Sequence, residues 1–272
     1  MTDRCEIQFR TKWDSQSEVS LPTVRSIHAV RKAARRALVR LEALRTAVGR
    51  GSYGRLRKSL HRLIRMSAQS RDTEVQRQII VQLALQMPKT HGRACDELLL
   101  KLGSRSHKAV RRLAGKLGTD KESEFLRRMN DDLDALRFAE SVVDLPWLAR
   151  PHLRHALKRI YGLLGQEITP DRLVHRLRIR VRRAHCLGGL VNTTRIAGLE
   201  AISHDLKRLQ GALGDLHDLM LLRGWIKKRG LIVAPSLGLA LDAVAKDRLQ
   251  KCERWRKPLR RAIRQLLEKT RE

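Results

Sequence analysis

The stretches IHAVRKAARR (Ile27 to Arg36) and VHRLRIRVRR (Val174 to Arg183) each place a histidine second, then arginines three, seven and eight residues after it. That spacing is helical, because residues three, four and seven apart share one face of an α-helix. On such a helix His28, Arg31, Lys32 and Arg35 fall within about 100° of one another. Arg36 lies just to one side, and Ile27, Val30, Ala34 and Leu38 occupy the opposite arc. In the second copy His175, Arg178 and Arg182 share a face, with Arg172 and Arg183 beside it. A chain that writes this pattern twice has to build two helices, each with one apolar and one strongly cationic side.

The repeat runs past the ladder. Leu60, Arg62, Leu63 and Asp72 recur as Leu206, Arg208, Leu209 and Asp218 at a constant offset of 146 residues, while the histidines are offset by 147, so one indel separates the two blocks. A long fixed period argues for a duplicated helical unit. The hydrophobic periodicity predicts helices near 21–48, 55–66, 72–85, 96–117 (interrupted near Gly103), 122–143, 151–164, 171–191, 198–213, 215–229 and 236–267. Ser20 or Thr23 would cap the first, and GRGSYG (Gly49 to Gly54) would end it. No segment offers period-2 alternation with hairpin turns. The expected fold is all-α, a duplicated helical unit whose loops are short enough for antiparallel neighbours. The expected division is an N-terminal extension (1–19), a first helical half (20–147) and a second (148–272), with the boundary near DLPWLARP.

The charge narrows what such a chain binds. Its formal net charge is +30, and the cations comprise 42 Arg and 16 Lys. Self-repulsion of that size works against a compact state, so a polyanionic partner is the simplest reason to tolerate it. Arg meets phosphate oxygens with a planar bidentate fork, so its excess over Lys points to phosphate, although a GC-rich genome favours Arg as well. Aromatic residues make up 3%, which counts against an open platform for stacking single-stranded bases. The four cysteines stand apart, as in a reduced, cytoplasmic protein without a zinc site. No apolar run suggests a leader peptide or a membrane span.

The bland reading of each ladder is a solvated basic face, and a second is that the arginines pair with acids such as Asp72, Asp215 or Asp218. Solvation places no demand on spacing, so the duplication favours a third reading. Each histidine and its arginines would project into a shared groove that binds an extended phosphate polymer. Arg55, Lys58 and Arg62, with Lys207 and Arg208 in the matching helix, would extend it. Arg111 and Arg112 either join them or face water. His61, His107, His155 and His204 show no partner pattern. His28 and His175 are expected to donate to phosphate and to gain charge when an anion sits beside them.

Three other functions compete: an enzyme, a nucleic-acid binder and a scaffold that docks acidic protein tails, the last of which nothing in the sequence excludes. GRGSYGRLRKS has the glycine separation of a phosphate loop, but Arg55-Leu56 replaces the required Lys-Ser/Thr and no strand precedes it. NDDLDAL (Asn130 to Leu136) is the one dense acidic run, spaced like a solvated helix face. No catalysis, cofactor or metal is therefore expected. The alternative is a nucleic-acid-binding basic helical protein, and nonspecific DNA binding at low salt is expected of any such charge. The sequence sets no oligomeric state.

The paired motif resembles the CHAD family, the conserved histidine α-helical domain, in which each half carries V-H-x-x-R-h-x-x-R-R and a later helix closes with L-G-x-x-R-D-x-D. Ile27, His28, Arg31, Arg35 and Arg36 match the first occurrence, with Lys32 where an apolar residue is usual. Val174, His175, Arg178, Ile179, Arg182 and Arg183 match the second throughout. SAQSRDTEV keeps Arg71 and Asp72, whereas LGDLHDLML keeps Leu213, Gly214 and Asp218 but has His217 in place of the arginine. The resemblance spans about residues 20 to 268. It implies two four-helix units across a basic cavity that binds inorganic polyphosphate, for targeting to or sensing of polyphosphate stores, including granules. CHAD modules often accompany a triphosphate tunnel domain with an E-x-E-x-K strand, to which Glu6–Arg10 is only faintly similar because Gln8 breaks the pattern.

Overall fold

The computed structural model describes residues 24–86, 92–167, 172–191, 196–231 and 235–269. The expected N-terminal extension, the Ser20/Thr23 cap and Glu6–Arg10 lie outside the described residues. Among those described there are nine helices and no strand: α1 (Val24–Ala43), α2 (Arg50–Met66), α3 (Ala68–Gln86), α4 (Gly92–Leu117), α5 (Asp120–Ser141), α6 (Leu145–Leu164), α7 (Arg172–Val191), α8 (Leu199–Lys228) and α9 (Pro235–Lys269). The protein is all-α.

The chain divides into two compact units. One takes the described residues up to Gln82 together with Asp96–Val143; the other takes Leu83–Cys95 and the residues from Asp144 onward. Five helices thus contribute to the first unit. There α1 packs on α2 and α2 on α5, and Ile27, Leu41, Leu56, Leu60 and Met129 of these helices are buried, as is Ile80 of α3. Arg40 of α1 pairs with Glu140 of α5 at 3.4 Å, and Arg105 of α4 donates to Gln76 of α3. Thr119 caps α5 by accepting from the Glu122 backbone N–H, as the T-x-x-E spacing requires.

The second unit is a closed ring of four: α6 packs on α7, α7 on α8, α8 on α9 and α9 back on α6. That ring, with short connections, is an up-and-down four-helix bundle. Its core is aliphatic, with Leu157, Ile160, Leu177, Val181, Leu213 and Leu259 almost fully buried.

Helix boundaries depart from the sequence pattern where apolar burial outweighs a local breaker. The segments expected at 198–213 and 215–229 are one 30-residue helix, α8, which runs through Gly211 and Gly214. Each mid-helix glycine costs about 1 kcal/mol relative to alanine. Against that, Leu206, Leu209, Leu213, Leu216, Leu219 and Leu222 form an unbroken buried stripe, and each buried leucine contributes roughly 1.5–3 kcal/mol. For the same reason α4 passes Gly103 without a break, between buried Leu102 and Ala109. The helix expected from Pro151 begins instead at Leu145, where Asp144 accepts the Trp147 backbone N–H at 3.0 Å and Pro151 falls inside.

Candidate functional site

Each ladder is carried by a helix whose apolar stripe fixes which way the cations point. On α7, Val174, Leu177, Val181, Ala184, Leu187 and Val191 are buried at intervals of three or four. The complementary strip holds exposed His175 and Ile179 with half-buried Arg178, Arg182 and Arg183. On α1 the buried apolar stripe away from the ladder includes Ile27, Ala34 and Leu41. Opposite them lie exposed His28 and Lys32 and half-buried Arg35 and Arg36.

Arg31 does something different. It is only 5% exposed, and its guanidinium donates to the Ile64 carbonyl and, at 3.2 Å, to the Ser67 hydroxyl. Ser67 in turn donates to the Leu63 carbonyl at 2.8 Å. Arg31 therefore closes the C-terminal turn of α2, whose last carbonyls have no helical partner. Its place explains this. Within the basic arc it is the position nearest Ile27, Ala34 and Leu38, so it tips toward the core.

His28 accepts a hydrogen bond at Nδ1 from Arg71 Nε of α3, at 3.2 Å. A guanidinium only donates, so Nδ1 holds the lone pair and the imidazole proton is on Nε2. Partial burial, then Arg71, Lys32, Arg35 and Arg31, lower the His28 pKa. In the second unit His175 lies with its ring centroid 5.1 Å from that of His217 of α8, the planes tilted by 46°. Partial burial, then Arg178 and Arg182, lower His175. Burial, then Arg178 and His175, push His217 down to about 4. No carboxylate is among the groups that shift these three histidines.

The remaining candidates divide. Lys58 and Lys207 are exposed. Arg62 turns to α5, where it pairs with buried Glu122 and stacks over Phe125 at 4.3 Å. Arg55 meets Asp132 of α5 at 3.1 Å. Arg208 lies over the Trp255 ring of α9 at 4.6 Å. Nine residues separate it from His217, two and a half turns, so it occupies the far side of α8.

Arg71 and His217 are the two residues at this site that the pattern reading left out of the binding set. The signal was present: both precede the repeated aspartates Asp72 and Asp218, and they share the 146-residue offset. What periodicity within one helix does not reveal is that this later position meets the ladder histidine. Among the described residues no group of three or more His, Cys, Asp or Glu is placed to hold a metal ion, and no helix is long and apolar enough to cross a membrane.

No curated protein matches the chain by sequence. Among solved structures, PptA from Streptomyces chartreusis is similar in fold, with a TM-score of 0.59 over 97% of this chain and 94% of that one, at 15% sequence identity. The sequence model of the CHAD domain matches residues 9–227. With both ladder helices inside that match, the chain belongs to the CHAD domain family.

Proposed function

We propose that the protein binds inorganic polyphosphate, without turning it over, through the cationic faces of α1 and α7. The observation that carries this is the electrostatic setting of His28, His175 and His217. Partial burial first and neighbouring cations after it push all three down, and no carboxylate is among the groups that shift them. At His61, by contrast, where burial and then Arg57 and Arg65 lower the pKa, Glu42 opposes them. A face that combines several cations with neutral N–H donors gains stability when an anion arrives. Membership of the CHAD family supports a phosphate polymer as that anion.

His28, Lys32, Arg35 and Arg36 would contact phosphate from the first unit, and His175, Arg178, Arg182 and Arg183 from the second, flanked by Lys58 and Lys207. Arg31 would support the first face from beneath. Arg55, Arg62 and Arg208 are held by Asp132, Glu122 and Trp255, so their share is smaller. Arginine forks would bind successive phosphates and release the polymer's counterions, with affinity rising as a longer chain occupies more cations. The role would be recruitment to, or sensing of, polyphosphate in the cytoplasm, including its granules.

The test is a competition titration at about 150 mM salt, where nonspecific DNA binding is already weakened. Labelled long-chain polyphosphate is displaced by duplex DNA or triphosphate, with an Arg178→Glu/Arg182→Glu variant alongside. Tight binding that resists DNA and collapses in the variant supports the reading. Equal displacement by DNA, with little loss in the variant, overturns it in favour of general nucleic-acid binding.

A further inference from the structure

The two units solve the same local problem with different residues. Beside the ladder histidine, the first unit places Arg71, a permanent cation that donates to His28 Nδ1 at 3.2 Å. At the position offset by 146 residues, the second unit places His217, whose ring is 5.1 Å from that of His175. One unit thus has a fixed charge where the other has a group that titrates. We propose that His175 and His217 form a proton-coupled phosphate subsite, which takes up a proton from solvent together with the polymer, so that the second unit binds more tightly as pH falls while the Arg71–His28 pair of the first unit needs no such proton. The proposal rests on the polyphosphate reading above.

Donor counting leads to the same place. Each neutral imidazole has one N–H and one lone pair, and protonating one ring adds a second N–H and a unit charge. Two charged rings this close repel, so the pair is expected to take up one proton, not two. With no anion present, burial, Arg178 and His175 hold His217 neutral far below physiological pH. A phosphate against the pair reverses the balance, because an adjacent opposite charge favours the charged form. In the first unit a proton on His28 Nδ1 would break the bond from Arg71 and set two cations together.

From α7, His175 and Arg178 act on His217, and Arg178 and Arg182 act on His175. On α8 itself Asp218 follows His217 in the chain, yet neither it nor Asp215 is among the groups that shift it. From α9, Arg248 reaches the Asp215 carbonyl at 2.6 Å. No charged group of α6 or α9 among the described residues shifts either ring.

The experiment is calorimetric titration of the full chain with long-chain polyphosphate between about pH 5.5 and 7.5, the range in which histidine titrates. Interior phosphates of a long polymer are strong acids, so the ligand's charge stays nearly constant. Each titration is run in two buffers of different ionisation enthalpy, which reads proton uptake directly. The proteins are the parent, His217→Arg, His217→Asn and Arg71→His. The parent is expected to gain roughly five- to tenfold in affinity toward acid and to take up close to one proton per site. His217→Arg should bind at neutral pH at least as tightly as the parent, with a flattened profile. His217→Asn should lose the acid gain, and Arg71→His should steepen it. One shared pH profile for the parent and both His217 variants, or no proton uptake, overturns the proposal and leaves polyphosphate binding standing. Absence of binding by every protein at every pH overturns the polyphosphate reading, and this inference with it.

Discussion

Arg31 and Lys32 are adjacent on one helix and meet opposite fates, one buried and one exposed. Arg31→Ala removes the donor from the Ile64 carbonyl and the Ser67 hydroxyl and is expected to cost about 1–3 kcal/mol in urea unfolding. Lys32→Ala should stay within about 0.5 kcal/mol of the parent, as surface changes do; equal effects would mean that Arg31 does not close α2. The histidines make a second prediction at this scale. His28, His175 and His217 all have folded pKa values below their unfolded value of 6.5. The unfolded chain therefore binds more protons in acid, and their contribution to stability is full above pH 6.5 and falls as pH drops below it. For His217 the loss continues to about pH 4, below which both states are protonated. Melting temperature should decline through that window, less steeply in His217→Asn, and saturating polyphosphate should reduce the decline. An unchanged slope in the variant would remove His217 from the account.

At the scale of the element, the continuity of α8 shows a buried stripe overriding local breakers. Gly211 is exposed in mid-helix, and a Cβ added there meets nothing within 4 Å. Gly211→Ala is therefore expected to raise stability by about 0.4–1 kcal/mol, read from the denaturation midpoint; a loss would point to a close approach that the helix does not show. The α2–α5 contact tests the other kind of element. Glu122 is buried and Arg62 is its cation, itself about two-fifths exposed. Breaking a fully buried pair costs roughly 3–5 kcal/mol, and exposure of Arg62 reduces that to about 2 kcal/mol for Arg62→Ala. The Arg62→Ala/Glu122→Ala double variant should lose less than the sum of the two single variants in thermal unfolding.

At the scale of the molecule, the net charge of +30 is a standing cost that a polyanion relieves. A ligand at a hundred times its dissociation constant stabilises the folded state by about 2.7 kcal/mol. For a chain of this size that corresponds to a rise of roughly 5–10 °C in melting temperature. The rise should shrink steeply with added salt and grow with polymer length, whereas monomeric phosphate should give little. A rise insensitive to both would be inconsistent with counterion release.

The sequence by itself determined the helical class, because period and spacing are local properties that one chain of residues expresses directly. It also determined the duplication and the cationic faces of α1 and α7, through His28 and His175 and the arginines that follow them. The tertiary structure decided which cations leave those faces and which groups join them. Arg31 turned inward to the end of α2, Arg62 and Arg208 to α5 and Trp255, and Arg71 and His217 came beside the ladder histidines from a later helix. Pairings of that kind depend on contacts tens of residues apart and on which carbonyl or carboxylate is left without a partner. Neither is written in the periodicity of a single helix.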